Sequence, residues 1–113
     1  MEITRLEDAK AYEAPGHYGM AALRLQGHEA SAAQHFWVAL SHFLPGGGVE
    51  RSATSLEKVY VVVEGTLTFV TDDGEQVLGP LDSCRFAPGE ARAVENRTNR
   101  VASMLVVMPY APS

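Results

Sequence analysis

Few residues in this chain are equipped for chemistry. Its four histidines, His17, His28, His35 and His42, all precede Pro45; its one cysteine is Cys84, and its two lysines are Lys10 and Lys58. Imidazoles gather to bind metal ions or to move protons. His35 and His42 flank one candidate strand at an odd separation, which puts them on opposite faces. Only His42 can then point inward, where it could meet His17 or His28 in a displaced metal site. The competing reading leaves each histidine facing solvent or satisfied by one hydrogen bond. Ser52 and Thr54 share one face of their segment, and Lys58, Tyr60 and Val62 share one face of the strand that follows. Cys84 reads as a buried, inert thiol, since activated thiolates need exposure and nearby positive charge. Gly46-Gly47-Gly48 precedes a strand rather than a helix, so it is not a phosphate cradle. No Ser-His-Asp arrangement or zinc-deaminase signature is present.

The elements that position these residues are strands. A short helix is expected over Leu6 to Tyr12, ended by Pro15-Gly16. Strands follow over Met20 to Leu25 and Phe36 to Leu44, the second stopped by Pro45-Gly46-Gly47-Gly48. Phe36 and Trp37 read as core or interface residues. Lys58 to Val63 is dense in β-branched and aromatic residues, and Glu64-Gly65 turns it into Thr66 to Val70, which alternates with period two. Thr71-Asp72-Asp73-Gly74 marks a hairpin into Glu75 to Leu78. Asp82 to Phe86, Ala91 to Glu95 and Val101 to Met108 complete an all-β antiparallel set. No repeat or linker interrupts it, and 113 residues suit one domain.

These residues resemble the cupin family, which carries two glycine-bounded motifs. In the first, two histidines and a glutamate lie between glycines; here Gly46, Ser52, Thr54, Lys58 and Gly65 reproduce its spacing. In the second, a proline, a glycine, a third histidine and an asparagine follow a glycine. Leu81, Ala87, Gly89, Arg92 and Asn96 fall at those intervals, with Gly89 and Asn96 matching in identity. The resemblance implies a jelly-roll β-barrel over residues 1–113, its core at about 36–108, with a short N-terminal extension. It also implies a homodimer, since small cupins commonly pair through N-terminal strands.

The resemblance breaks at the metal. A cupin site presents imidazoles and a carboxylate, which suit first-row transition metals. Ser52 and Thr54 offer neutral hydroxyls instead, while protonated Lys58 and Arg92 have no lone pair to give. Moving the register by one residue brings in Arg51, Ala53 and Glu57 and still supplies no imidazole. No metal or other cofactor is therefore expected at these positions. If the faces point into the barrel, Ser52, Thr54, Lys58, Tyr60 and Arg92, with His42, form a ligand-binding set selective for a small anionic metabolite.

Two alternatives stay open. One is an isomerase, cyclase or lyase, with Lys58 as a catalytic candidate through a lowered pKa or with the displaced metal. The other is a structural or sensory partner protein, in which Lys58 and Arg92 close an ion network on Glu57, Glu90 or Glu95. The net charge of −5, from 14 acidic and 9 basic residues, argues against nucleic acid as a partner. No apolar run is long enough for a membrane span. The N-terminus lacks a secretory pattern and a lone cysteine suits a reducing compartment, so a cytoplasmic location is expected.

Overall fold

The computed structural model describes residues 1–112. A single 3₁₀ turn, Leu6–Asp8, precedes nine strands: β1 (Lys10–Tyr12), β2 (His17–Gln26), β3 (Trp37–Ser52), β4 (Lys58–Glu64), β5 (Leu67–Thr71), β6 (Gly74–Leu78), β7 (Ser83–Phe86), β8 (Arg92–Glu95) and β9 (Ala102–Met108). The helix expected over Leu6 to Tyr12 is thus reduced to one turn, because Lys10–Tyr12 pairs with Ala22–Arg24 of β2 and adopts its extended backbone.

All strand pairs are antiparallel, in the order β6-β5-β8-β3-β9-β4-β7, with β2 also on β3 and β1 on β2. This is the jelly-roll type of barrel, nearly closed, with β6 and β7 at its free edges. No helix is long and apolar enough to cross a membrane.

The glycine run is not the stop expected of it. β3 continues through Pro45 to Gly48 and bends, so that Trp37–Phe43 pairs with β9 whereas Gly48, Val49 and Ser52 pair with β8. Two close approaches demand glycine at the bend. A Cβ on Gly47 would lie 2.1 Å from the Gly19 carbonyl oxygen, and one on Gly48 would lie 2.2 Å from that of Val94. Asn96, fully buried, ties the bend down: its Nδ2 donates to the carbonyls of Phe43 (3.0 Å) and Arg100 (2.7 Å). One strand therefore serves both sheets, and its second half carries the site.

The barrel interior is filled by alternating side chains of both sheets, including Phe43, Val49, Tyr60, Val62, Phe69 and Met104. Outside it, Arg24 stacks over Tyr12 (4.0 Å) and near Trp37 (5.1 Å), anchoring β1 to the sheet. Of the two residues expected in core or interface, Trp37 packs against the core, while Phe36 is exposed and lies outside it.

Candidate functional site

Strand alternation decides which side chains face inward. On β4, Lys58, Tyr60 and Val62 are buried while Val59 and Val61 between them are only half-buried. On β8, Arg92 and Val94 are buried, with Asn96 just beyond. Ser52 is the register partner of Arg92 after a bulge in β3. These residues converge on one end of the barrel, over a floor of Tyr60, Phe69 and Phe86 whose ring centroids lie 5.6–6.3 Å apart.

Arg92 is the centre. Its Nε donates to the Tyr60 hydroxyl at 2.9 Å, and its Nη1 donates to Ser52 Oγ at 2.8 Å. Nη2 donates to nothing among the described residues, so one side of the guanidinium fork is free. Because Tyr60 Oη accepts from Arg92, its own proton remains available to a ligand. Burial raises the Tyr60 pKa and the neighbouring Arg92 charge partly offsets this, so the phenol stays protonated at neutral pH.

Lys58 is 2% exposed and makes no hydrogen bond or ion pair among the described residues. Its ammonium nevertheless keeps some contact with solvent: among the described residues, Arg24 Nε is the one buried side-chain nitrogen or oxygen both shut off from solvent and unpartnered. Burial, reinforced by the Arg92 charge, pushes Lys58 down from 10.5 to about 8. The carboxylates expected to neutralise these cations are engaged elsewhere. Glu57 pairs with Arg85, Glu95 with Arg97, and Glu90 accepts from the Ala87 amide at 3.0 Å. The ion network on Lys58 and Arg92 does not form, and the end of the barrel keeps its positive charge.

Two expected members are absent from the cluster. Thr54 turns its hydroxyl to the Leu56 backbone at 3.3 Å, closing the connection from β3 to β4. His42 is next to inward-facing Phe43 and therefore on the opposite face of β3, where its Nδ1 lies 2.6 Å from Ser103 Oγ. Among the described residues no three of His, Cys, Asp and Glu are grouped as metal ligands. The donor set at the motif positions, two hydroxyls and two cations, does not fit the metal that the family motif implies.

One member was expected from the sequence only as a possible ligand of a displaced metal site, not as part of this cluster. His17, at the start of β2, is the register partner of Val49, and Val49 of Val94. Paired residues project to the same side, so half-buried His17 lies on the inner face, beside the Arg92 end of β8. Cys84 also faces inward, opposite Tyr60. Burial, with a lesser contribution from Glu90, pushes its thiol up to about 11, so it is protonated and unreactive at neutral pH.

Two surface clefts flank the barrel. One, of about 200 Å³, is lined by Arg5, Asp8, Lys10, Arg24 and Glu29. The other, of about 240 Å³, is lined mostly by apolar atoms of residues including Phe36, Val59, Met108 and Lys58. Neither contains Arg92 or Tyr60.

Comparison with known proteins agrees with this architecture. The family model described as "Cupin domain" matches residues 39–108. A Mycobacterium tuberculosis protein named as a beta-D-galactosidase is 46% identical over 110 residues, covering 97% of this chain and 95% of the relative. A structure described as a sugar phosphate isomerase from Silicibacter pomeroyi is 28% identical, with a TM-score of 0.81, over 96% of this chain and 75% of the other. The polyketide cyclase of Streptomyces resistomycificus superposes with a TM-score of 0.86 at 22% identity, over 96% and 79% of the two chains, a likeness of fold alone.

Proposed function

This chain belongs to the cupin domain family, and from that premise we propose that it is a metal-independent sugar-handling cupin whose barrel end binds a small anionic carbohydrate, a sugar phosphate or a sugar acid. The observation that carries the reading is the pair of cations without carboxylates: Lys58 has no partner, and Arg92 is held only by the neutral oxygens of Tyr60 and Ser52. A buried cation is costly unless compensated. An anionic ligand supplies the compensation, taking two N–H groups from the free side of Arg92 and a point charge from Lys58. The carbohydrate part of the reading is supported by the names of two relatives above 25% identity.

Isothermal titration with glucose 6-phosphate, ribose 5-phosphate, galacturonate and neutral galactose tests it. At least one anionic sugar should bind tenfold or more tightly than galactose, and Lys58→Met should weaken it at least tenfold. Equal binding of galactose and galacturonate, with no phosphate bound better, would overturn the charge argument.

A second reading, hydrolysis of a β-galactoside, is favoured by the name of the 46%-identical relative. Glycoside hydrolysis ordinarily uses two carboxyl groups about 5–9.5 Å apart across the scissile bond. The nearest glutamates by sequence, Glu57 and Glu90, are turned to Arg85 and to the Ala87 amide. Release of nitrophenol from nitrophenyl β-D-galactoside would make hydrolysis the function and move attention to those glutamates.

A further inference from the structure

His17 is held in one tautomer. Its Nδ1 lies 2.9 Å from the Pro15 carbonyl oxygen, and a carbonyl only accepts, so Nδ1 carries the proton. The lone pair of the neutral ring is then on Nε2. The ring belongs to the row His17–Val49–Val94–Phe69, which crosses three strand pairs on the inner face. Arg92 stands two residues from Val94 on that same face. Burial lowers the pKa of His17; the Pro15 bond opposes this, and the charges of Arg92 and Lys58 add to it. A neutral base therefore sits beside two cations.

Resting on the anionic-sugar reading above, we infer that His17 is the proton-transfer residue of this site and that its substrate carries a carbonyl next to the C–H bond that breaks. The proton on the carbon beside the carbonyl passes to His17 Nε2. The electron pair of that C–H bond becomes the carbon–carbon double bond of an enediolate, and the former carbonyl oxygen takes the negative charge. Lys58 and the free side of Arg92 supply the positive charge that stabilises it. Returning the proton to the neighbouring carbon, while the hydroxyl proton crosses between the two oxygens by way of Tyr60, completes an aldose–ketose exchange. This route consumes no oxidant, reductant or second substrate.

The test is solvent exchange. The intact protein is incubated in deuterium oxide with glucose 6-phosphate, ribose 5-phosphate or galacturonate, and proton NMR follows the signal beside the carbonyl. Wild type should replace that proton with deuterium for a sugar that it binds. His17→Gln should slow the exchange at least a hundredfold while its titration isotherm for the same sugar changes less than threefold. Nitrogen-15 NMR of the wild-type imidazoles gives a measurement independent of the variant: one histidine should be in the neutral Nδ1–H form at pH 7, and its Nε2 signal should move when the sugar binds. Binding without exchange in wild type, exchange unaltered in His17→Gln, or a doubly protonated His17 at pH 7 would each overturn the role of His17 and leave the binding reading standing. Failure of every anionic sugar to bind would remove both.

Discussion

Replacing Lys58 by methionine should make the protein more stable, although it removes a side chain that fills the barrel. Methionine keeps the unbranched stem and its packing, so the change isolates the charge. Folding moves the lysine from 10.5 to about 8, which at 1.36 kcal/mol per unit corresponds to about 3 kcal/mol of lost stability. Contact of the ammonium with solvent trims this to about 2 kcal/mol. The sign follows from proton counting. Below pH 8 the lysine is protonated in both states and the cost is fully present. Between pH 8 and 10.5 the unfolded chain holds more protons than the folded one, so stability rises with pH. Urea unfolding at pH 7 should therefore show Lys58→Met more stable by about 2 kcal/mol, or about 8 °C in Tm for a domain of this size. The gap should narrow as pH rises through 8 towards 10. A variant less stable at pH 7, or a gap independent of pH, would mean that Lys58 has a counter-charge and would refute both the unpaired cation and the site built on it.

Two further substitutions test the frame around the site. Asn96→Ala strips the donors from the Phe43 and Arg100 carbonyls and the acceptor from Thr98; it should cost about 3 kcal/mol in urea unfolding, and a loss below about 1 kcal/mol would show that the β3 bend holds itself. Leu81, at the position where the family motif has glycine, is 82% exposed with φ of 70°. Leu81→Gly should relieve about 1–2 kcal/mol of left-handed strain against about 0.5–1 kcal/mol of glycine entropy, for a small rise in Tm. Leu81→Ala should bring no rise, and an equal gain there would assign the effect to the removed apolar surface instead.

The strands β4, β5 and β6 were legible because their signals are local: β-branched runs, period-two alternation and an Asp-Asp-Gly hairpin turn all act within a few residues. Lys58 and Tyr60 were placed on one face by the same counting, which needs only one strand. Errors arose where long-range contacts decide. Pro45 to Gly48 carries every sign of a strand end, yet Asn96, about fifty residues later, receives Gly46 N–H through its carbonyl and donates its own amide to Gly47 O, so that β3 runs on. Thr54 shares the spacing of Ser52, but its hydroxyl is taken by the adjacent turn. His35 falls in the bend before β3, so strand counting does not reach it, and counting along β3 says nothing of which face is inner; that is set by Phe43 and its neighbours in the core. His17 was the hardest to see. It enters the site only through pairing with Val49, a register between segments about thirty residues apart.

A cationic barrel end inside an acidic chain has a consequence for how ligands reach it. The chain as a whole carries −5, which opposes the approach of an anion at long range. At physiological ionic strength that repulsion is screened beyond about 8 Å, so an arriving anion responds mainly to the groups it meets at contact. Those groups are Lys58, Arg92 and the hydroxyls of Tyr60 and Ser52, none of which carries negative charge. Discrimination is then made by desolvation and hydrogen-bond geometry at the end of the barrel rather than by steering from afar. Such a site would accept an anion whose polar remainder can meet the phenol and the serine, and give little to an anion that offers charge alone. A phosphate or carboxylate joined to a hydroxylated carbon chain satisfies both demands, whereas inorganic phosphate satisfies only the first. Under the proposed reading, the unneutralised cations favour an anion, and the neutral donors and acceptors around them favour one that carries hydroxyl groups.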